Sequence, residues 1–257
     1  MPFTFSHPAI VLPLKKLKPN WFSVNGLVLG SMAPDLQYFL KMSGASDFGH
    51  TAIGVFAIDL PLSFLVAIAF HRWVRNSLIR HLPSPLDTRY SDFLTFDFNA
   101  YLRRSWFVFA ASAFVGALSH MFWDFFGRPE GIVYYFAPAF FEQTLQLGPV
   151  EMEVNDLIER IGSVLGLIFL GWLVFQKKEP IAPAVASRTT RQKFTFWGAV
   201  LLGTLLITAL KLWLDWEEDS AGFYIIVLIS AGSWSFVLAS VLYHFFSRQP
   251  NASSRTS

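Results

Sequence analysis

Five stretches of this chain stay apolar long enough to cross a bilayer, and that limits its fold more than any other feature. A spanning helix needs about 20 mostly apolar residues. Segments 54–74, 105–126, 160–176, 194–214 and 222–246 meet that length with soft ends. Of the 257 residues, 53% are hydrophobic and only 15% are charged, where a soluble domain carries about a quarter. The reading is an all-α polytopic membrane helix bundle of about five transmembrane helices, with a short N-terminal helix. The stretch from Trp21 to Leu40 is also apolar but is interrupted by Asn25, Gly26, Gly30, Pro34 and Asp35. It reads as a short buried or interfacial helix, with a sixth span as the alternative.

Loop charges orient such spans, because Lys and Arg concentrate on the cytoplasmic side. Arg72, Arg75, Arg80, Arg89, Arg103 and Arg104 lie between the first two segments, and Lys177, Lys178, Arg188, Arg191 and Lys193 between the third and fourth. The loop between the second and third holds Glu130, Glu142, Glu151, Glu153, Asp156 and Glu159, and the one from Asp215 to Ser220 is also acidic. The pattern places the N-terminus outside and the C-terminus in the cytoplasm. Lys15, Lys16 and Lys18 then face outward, against the rule, where they would meet lipid phosphates. The N-terminus offers prolines and a His where a signal peptide needs an apolar run, so insertion falls to the internal helices.

The chain order suggests a ligand-bearing membrane domain over 1–176 and a cytoplasmic linker over 177–193, rich in Pro, small residues and charge. A C-terminal helix pair follows over 194–246, then a disordered tail over 247–257. The net charge of +2 and the lack of a basic cluster speak against a nucleic-acid partner. The partner these properties imply is the lipid bilayer.

Polar residues that bind metals stand out against this background. The chain has no Cys, so any ion must be held through His, Asp, Glu, carbonyls or water. His120 and Asp124 form a His-x-x-x-Asp pair inside an apolar helix. Residues four apart share a helix face, and ionisable groups in such a segment are costly unless they serve a function. The alternative is a helix–helix hydrogen bond that holds a bundle together. Asp35 follows Pro34, which can start a helix with the carboxylate in its first turn. His50 precedes the first span. His7, near the terminus, reads equally well as an exposed histidine. By the charge count His7, Asp35, His50, His120 and Asp124 all fall on the outer side. Asp59, about a turn and a half inside the first span next to Pro61, needs a partner there. One role would be to orient a ligand histidine; a hydrogen bond to a neighbouring helix is the other. Glu151, Glu153 and Asp156 read as a solvated loop, and His71, His81 and His244 as lying on the opposite side, away from any site.

The opening Met-Pro-Phe-Thr-Phe-Ser-His-Pro-Ala, then Gly-Ser-Met-Ala-Pro-Asp-Leu-Gln-Tyr-Phe, Gly-His-Thr and Gly-Ala-Leu-Ser-His-Met-Phe-Trp-Asp-Phe-Phe occur in this order. In these motifs the chain resembles an uncharacterised bacterial membrane family carrying a domain of unknown function. That family is similar to predicted membrane-bound metal-dependent hydrolases and, more distantly, to the zinc-dependent phospholipase C and single-strand nuclease superfamily. The resemblance implies a bacterial cytoplasmic (inner) membrane location. It also implies a divalent metal, zinc above all, shared by Asp35, His50, His120 and Asp124, with Asp124 bridging to a second ion near His7. The family usually carries a further His four residues after the Asp, where this chain has Arg128. Arginine does not ligate cations, which argues for a one- or two-metal site or a degenerate one, and leaves Arg128 as a contact for a substrate phosphate or as a surface residue.

Two functions follow as expectations. The first is a metal-dependent hydrolase of phosphoesters, acting on a phospholipid or another envelope phosphoester at the outer membrane face. The second is a non-catalytic membrane protein whose His/Asp cluster is structural or a degenerate metal site. Ion transport is weaker, because no polar chain continues across the bilayer.

Overall fold

The computed structural model describes residues 3–44, 48–181, 188–215, 217 and 220–246. Residues 182–187 of the expected linker, part of the acidic stretch from Asp215 to Ser220 and the tail over 247–257 lie outside them. Five helices are long and apolar enough to cross a membrane: Ala52–His81, Phe98–Asp124, Val154–Gln176, Thr190–Leu214 and Ala221–Phe246. They are called here the first to fifth spans. They make the chain an all-α, multi-pass membrane protein. Each begins before the apolar segment that announces it, because polar residues at an end continue a helix without entering hydrocarbon.

Burial confirms the solvent these helices are built for. Large apolar side chains on the spans point outward: Phe107, Leu165, Leu201 and Leu206 are all exposed. The interior collects small and polar groups, including Ser112, His120, Ser163, Ser230 and Ser240. In lipid, helices pack through small residues and polar contacts rather than by apolar burial.

The stretch from Trp21 to Leu40 does not span. It forms α2 (Val24–Gly30) and α3 (Ala33–Lys41), after α1 (Pro8–Leu17). Ser23 caps α2 by accepting a hydrogen bond from the Gly26 N–H. Glycine lets α2 lie directly on the second span: a Cβ on Gly30 would fall 2.0 Å from the Ala113 carbonyl oxygen, and one on Gly116 would fall 2.6 Å from the Ser31 nitrogen.

The first span is irregular. Val55–Asp59 is a π-helical turn, with the Leu60 N–H bonded to the Val55 carbonyl. Pro61 has no N–H and its ring clashes with the carbonyl four residues back, so widening the preceding turn relieves the conflict. Such turns recur at functional sites. The only strands among the described residues, β1 (Thr144–Leu147) and β2 (Val150–Glu153), form one antiparallel hairpin between the second and third spans.

The chain divides into two compact units. One holds Met1–Gln37, Asp47–Ala67 and Asn99–Gln176; the other holds Tyr38–Ser46, Ile68–Phe98 and Lys177–Ser257. In the second unit the fourth and fifth spans pack through Trp197 stacked on Phe236, while Trp197 Nε1 donates to the His81 carbonyl at 2.8 Å. His81 is buried against Phe196, and His71 stacks on Phe98. All the candidate ligands belong to the first unit.

Candidate metal centre

Three elements bring the ligand candidates together. Asp35 sits in the first turn of α3. His50 ends a 3-10 turn, Phe48–His50, just before Thr51 caps the first span by accepting from the Gly54 N–H. His120 and Asp124 occupy the last turns of the second span.

Asp35, His50, His120 and Asp124 each present one donor atom, all within 4.8 Å of one another. His50 Nε2 lies 3.2 Å from His120 Nε2. Asp35 Oδ1 is 3.5 Å from each of these nitrogens, and Asp124 Oδ2 is 3.4 Å from each. A tetrahedral ion bound at about 2.0–2.1 Å holds its donors about 3.3–3.4 Å apart. Five edges of the tetrahedron therefore match a small divalent cation.

The surroundings fix the donors. His120 Nδ1 lies 2.8 Å from the Ser31 carbonyl oxygen, which can only accept, so Nδ1 carries a proton and Nε2 is left for the centre. Asp35 Oδ2 accepts from the Thr4 hydroxyl, which leaves Oδ1 for the centre. Asp35 Oδ1 and both oxygens of Asp124 are buried and face the imidazoles of His50, His120 and His7 at 3.4–3.5 Å, at the outer limit of a hydrogen bond. Buried carboxylate oxygens of this kind require a cation or a proton.

Electrostatics point the same way. Burial alone would raise the Asp35 carboxyl, but hydrogen bonds from His120, His50 and Thr4 and the charge of His120 hold it well below the usual carboxylate range. Burial of His50 opposes its charge, yet hydrogen bonds to Asp124 and Asp35 prevail and raise the imidazole to about 9. The carboxylates draw positive charge into this spot, and a proton supplies it when no ion does.

His7 is buried at the N-cap of α1. Its ring stacks on His120 with centroids 3.9 Å apart, and its Nε2 lies 3.5 Å from Asp124 Oδ1. It is beside the four-donor group rather than in it. Asp59 is fully buried, and neither carboxylate oxygen has a hydrogen-bond partner among the described residues. It sits behind His50: a Cβ on Gly49 would lie 3.1 Å from Asp59 Oδ1. No hydrogen bond joins it to a ligand imidazole. Arg128 turns its Nε and one terminal nitrogen to Glu159 Oε1, at 3.3 and 3.2 Å. Glu151, Glu153 and Asp156 are exposed.

Sequence reasoning missed Thr4, the Ser31 carbonyl and Glu159. Only Thr4 carried a signal, as a hydroxyl in the polar Thr-Phe-Ser-His run that also contains His7.

The chain belongs to the family described as a domain of unknown function, DUF4184, whose model matches residues 1–244. No curated protein and no solved structure matches it.

Proposed function

We propose that this family member is a metal-dependent hydrolase of the zinc type, acting on phosphoesters at the outer face of a bacterial inner membrane. The observation that carries the reading is the set of four donor atoms on His and Asp side chains, all within 4.8 Å of one another and with five of their six separations at 3.2–3.5 Å. A divalent cation there supplies Lewis acidity toward a phosphoryl oxygen and lowers the pKa of a coordinated water. The protein's part is to hold His50 and His120 by Nε2, to keep Asp35 ionised and to leave Asp124 Oδ1 directed at His7. With Asp124 Oδ1 and His7 Nε2 only 3.5 Å apart, a second cation would find both donors there. The resemblance to zinc phospholipases and nucleases supports the substrate class; it is analogy of motifs. The substrate under this reading is a phospholipid headgroup or another envelope phosphoester.

A second reading has its own support. Structural metal sites are closed by four protein ligands, whereas catalytic ones usually keep a position open. Here four protein donors already surround the centre, and Asp35, His120 and Asp124 are all 3% exposed or less. On that reading the ion fastens α3, the turn before the first span and the second span together.

The test is metal content by mass spectrometry on detergent-purified protein, wild type beside a His120→Ala, Asp124→Ala variant of matched folding. A screen of the metal-loaded protein against phosphodiesters and phospholipid vesicles follows. Metal lost in the variant, with hydrolysis lost alongside it, supports the enzyme. Metal lost with no phosphoester ever cleaved supports the structural site, and no metal in either protein rejects both.

A further inference from the structure

The N-terminal lysines are the one part of the charge pattern that fits the outer face poorly, and the contacts of α1 and α2 move them elsewhere. The Phe3 N–H donates to Ser163 Oγ at 2.8 Å. Ser6 and Ala9 then lie against Gly166, and Lys16 Nζ sits 5.4 Å from the centre of the Trp172 ring. As the chain advances from residue 3 into α1 and on to residue 16, its contacts on the third span advance from 163 to 172. Thus α1 runs down that span, away from the metal centre. The return is equally ordered. The Ser23 N–H donates to Ser112 Oγ at 2.8 Å, Gly30 meets Ala113, and the Ser31 carbonyl reaches His120. So α2 climbs the second span back to the centre.

The turn between them, Lys18 to Phe22, lies about 12 Å below His120 at 1.5 Å per residue. Ser23, which follows the turn, meets Ser112 about midway along the second span, while Lys16 before it reaches Trp172 near the opposite end of the third. Trp172 is four residues from the end of the third span at Gln176, where Lys177 and Lys178 follow, and Arg103 and Arg104 lie in the second span between its start and Ser112. Lys15 is bound within the turn to the Pro19 and Phe22 carbonyls. Lys16 and Lys18 are exposed, as are Leu17 at 72% and Trp21 at 71%. An ammonium group is expensive in hydrocarbon, and a lysine near a membrane surface extends its head group to that surface. The nearer surface here is the basic one, and Trp favours the same boundary.

We propose that α1 and α2 form a re-entrant hairpin, which enters at the metal-centre end of the first unit and carries Lys16 and Lys18 to anionic headgroups of the opposite, cytoplasmic leaflet. All the basic segments flanking the second and third spans, Lys15 to Lys18 included, then share one side.

The absence of Cys allows single-cysteine variants to report this directly. Lys18→Cys, Lys178→Cys and Glu151→Cys are each labelled with a membrane-impermeant maleimide in intact cells and in inverted vesicles. Lys18→Cys should react on the same side as Lys178→Cys and on the side opposite Glu151→Cys. Reaction alongside Glu151→Cys, or on neither side, overturns the hairpin. The headgroup contact is read from phosphatidylglycerol retained on purification, which Lys16→Gln with Lys18→Gln should lower at least about fivefold. Unchanged retention removes the lipid contact.

Discussion

The Ser31 carbonyl oxygen lies 2.8 Å from His120 Nδ1 and decides which face of that ring meets the centre. A carbonyl cannot donate, so the Nδ1 proton is fixed in place. On the far side of the ring, His120 Nε2 and His50 Nε2 stand 3.2 Å apart. Two protonated nitrogens cannot face each other so closely without repulsion, whereas a shared cation turns the contact into two bonds.

Zinc should therefore stabilise the folded protein by mass action. A free concentration a hundredfold above Kd adds about 2.7 kcal/mol to folding. Thermal unfolding in detergent should show a higher midpoint with zinc and a return to the lower one on chelation. His120→Ala should unfold at one temperature with or without the metal. A zinc-induced shift that survives in His120→Ala would show that the ion binds elsewhere.

The spans were legible because length and hydropathy alone dictate a membrane helix. The pair His120 and Asp124 was legible because four-residue spacing aligns side chains on one helix. The partnership of Asp35 and His50 with that pair is tertiary, and one sequence offers only the order of motifs for it. Ser31 contributes a backbone carbonyl, which any residue would offer, so nothing in its identity marks it. In the sequence Glu159 is one charge in an acidic loop, because its role depends on where the end of the second span meets the third. The path of α1 was hidden for the same reason: loop charges report a side of the membrane but not depth.

Thr4 should matter to metal affinity although it touches no ion. Its hydroxyl donates to Asp35 Oδ2, and loss of such a supporting bond typically costs 10–100-fold in affinity. Thr4→Val keeps the shape and removes the donor. Competition with a chromogenic chelator should show weaker zinc binding by roughly that factor with the stoichiometry unchanged, while Thr4→Ser should bind nearly as wild type. Equal affinities for Thr4→Val and wild type would show that Asp35 needs no such support.

Metal uptake should release protons and strengthen as pH rises. In the metal-free protein the His50 imidazole is raised from its ordinary 6.5 to about 9, so at neutral pH it holds a proton that the ion must displace. Through His50, zinc affinity should climb with pH until about 9 and then level off. Asp35, held low, gives up no proton in this window. The metal-free fold should show the linked effect. A raised folded pKa gives stability that is complete below 6.5 and fades as pH rises through about 9. Calorimetry in buffers of different ionisation enthalpy counts the protons released. A release of none at pH 7 contradicts the charged His50.

Gly30 should tolerate no side chain. Its Cβ would lie 2.0 Å from the Ala113 carbonyl oxygen and 2.5 Å from the Ala113 Cα, both backbone atoms that cannot swing aside. Gly30→Val must separate α2 from the second span, at a cost of about 1–3 kcal/mol or more. The same shift moves the Ser31 carbonyl away from His120. Lower thermal stability and weaker zinc binding should appear together. Gly171→Ala, whose Cβ would meet nothing within 4 Å, is the control that should change neither.

Arg128 separates a structural role from a substrate role. Its guanidinium meets Glu159 Oε1 at 3.2 Å, and the Glu159 side chain is only 9% exposed, against 31% for Arg128. The Glu159 carbonyl accepts from Ser163 Oγ, which accepts from the Phe3 N–H, so the pair sits on the seam that holds the N-terminus to the third span. Arg128→Ala leaves a buried carboxylate without its ion partner, a loss of about 1–3 kcal/mol. Arg128→Ala with Glu159→Ala removes both charges and should recover part of it. Zinc stoichiometry should stay unchanged throughout, since neither residue reaches the four donors. A double-mutant cycle on thermal stability measures the coupling. Near-zero coupling, together with an unaltered unfolding midpoint in Arg128→Ala, would free the guanidinium for a phosphate and refute its structural assignment.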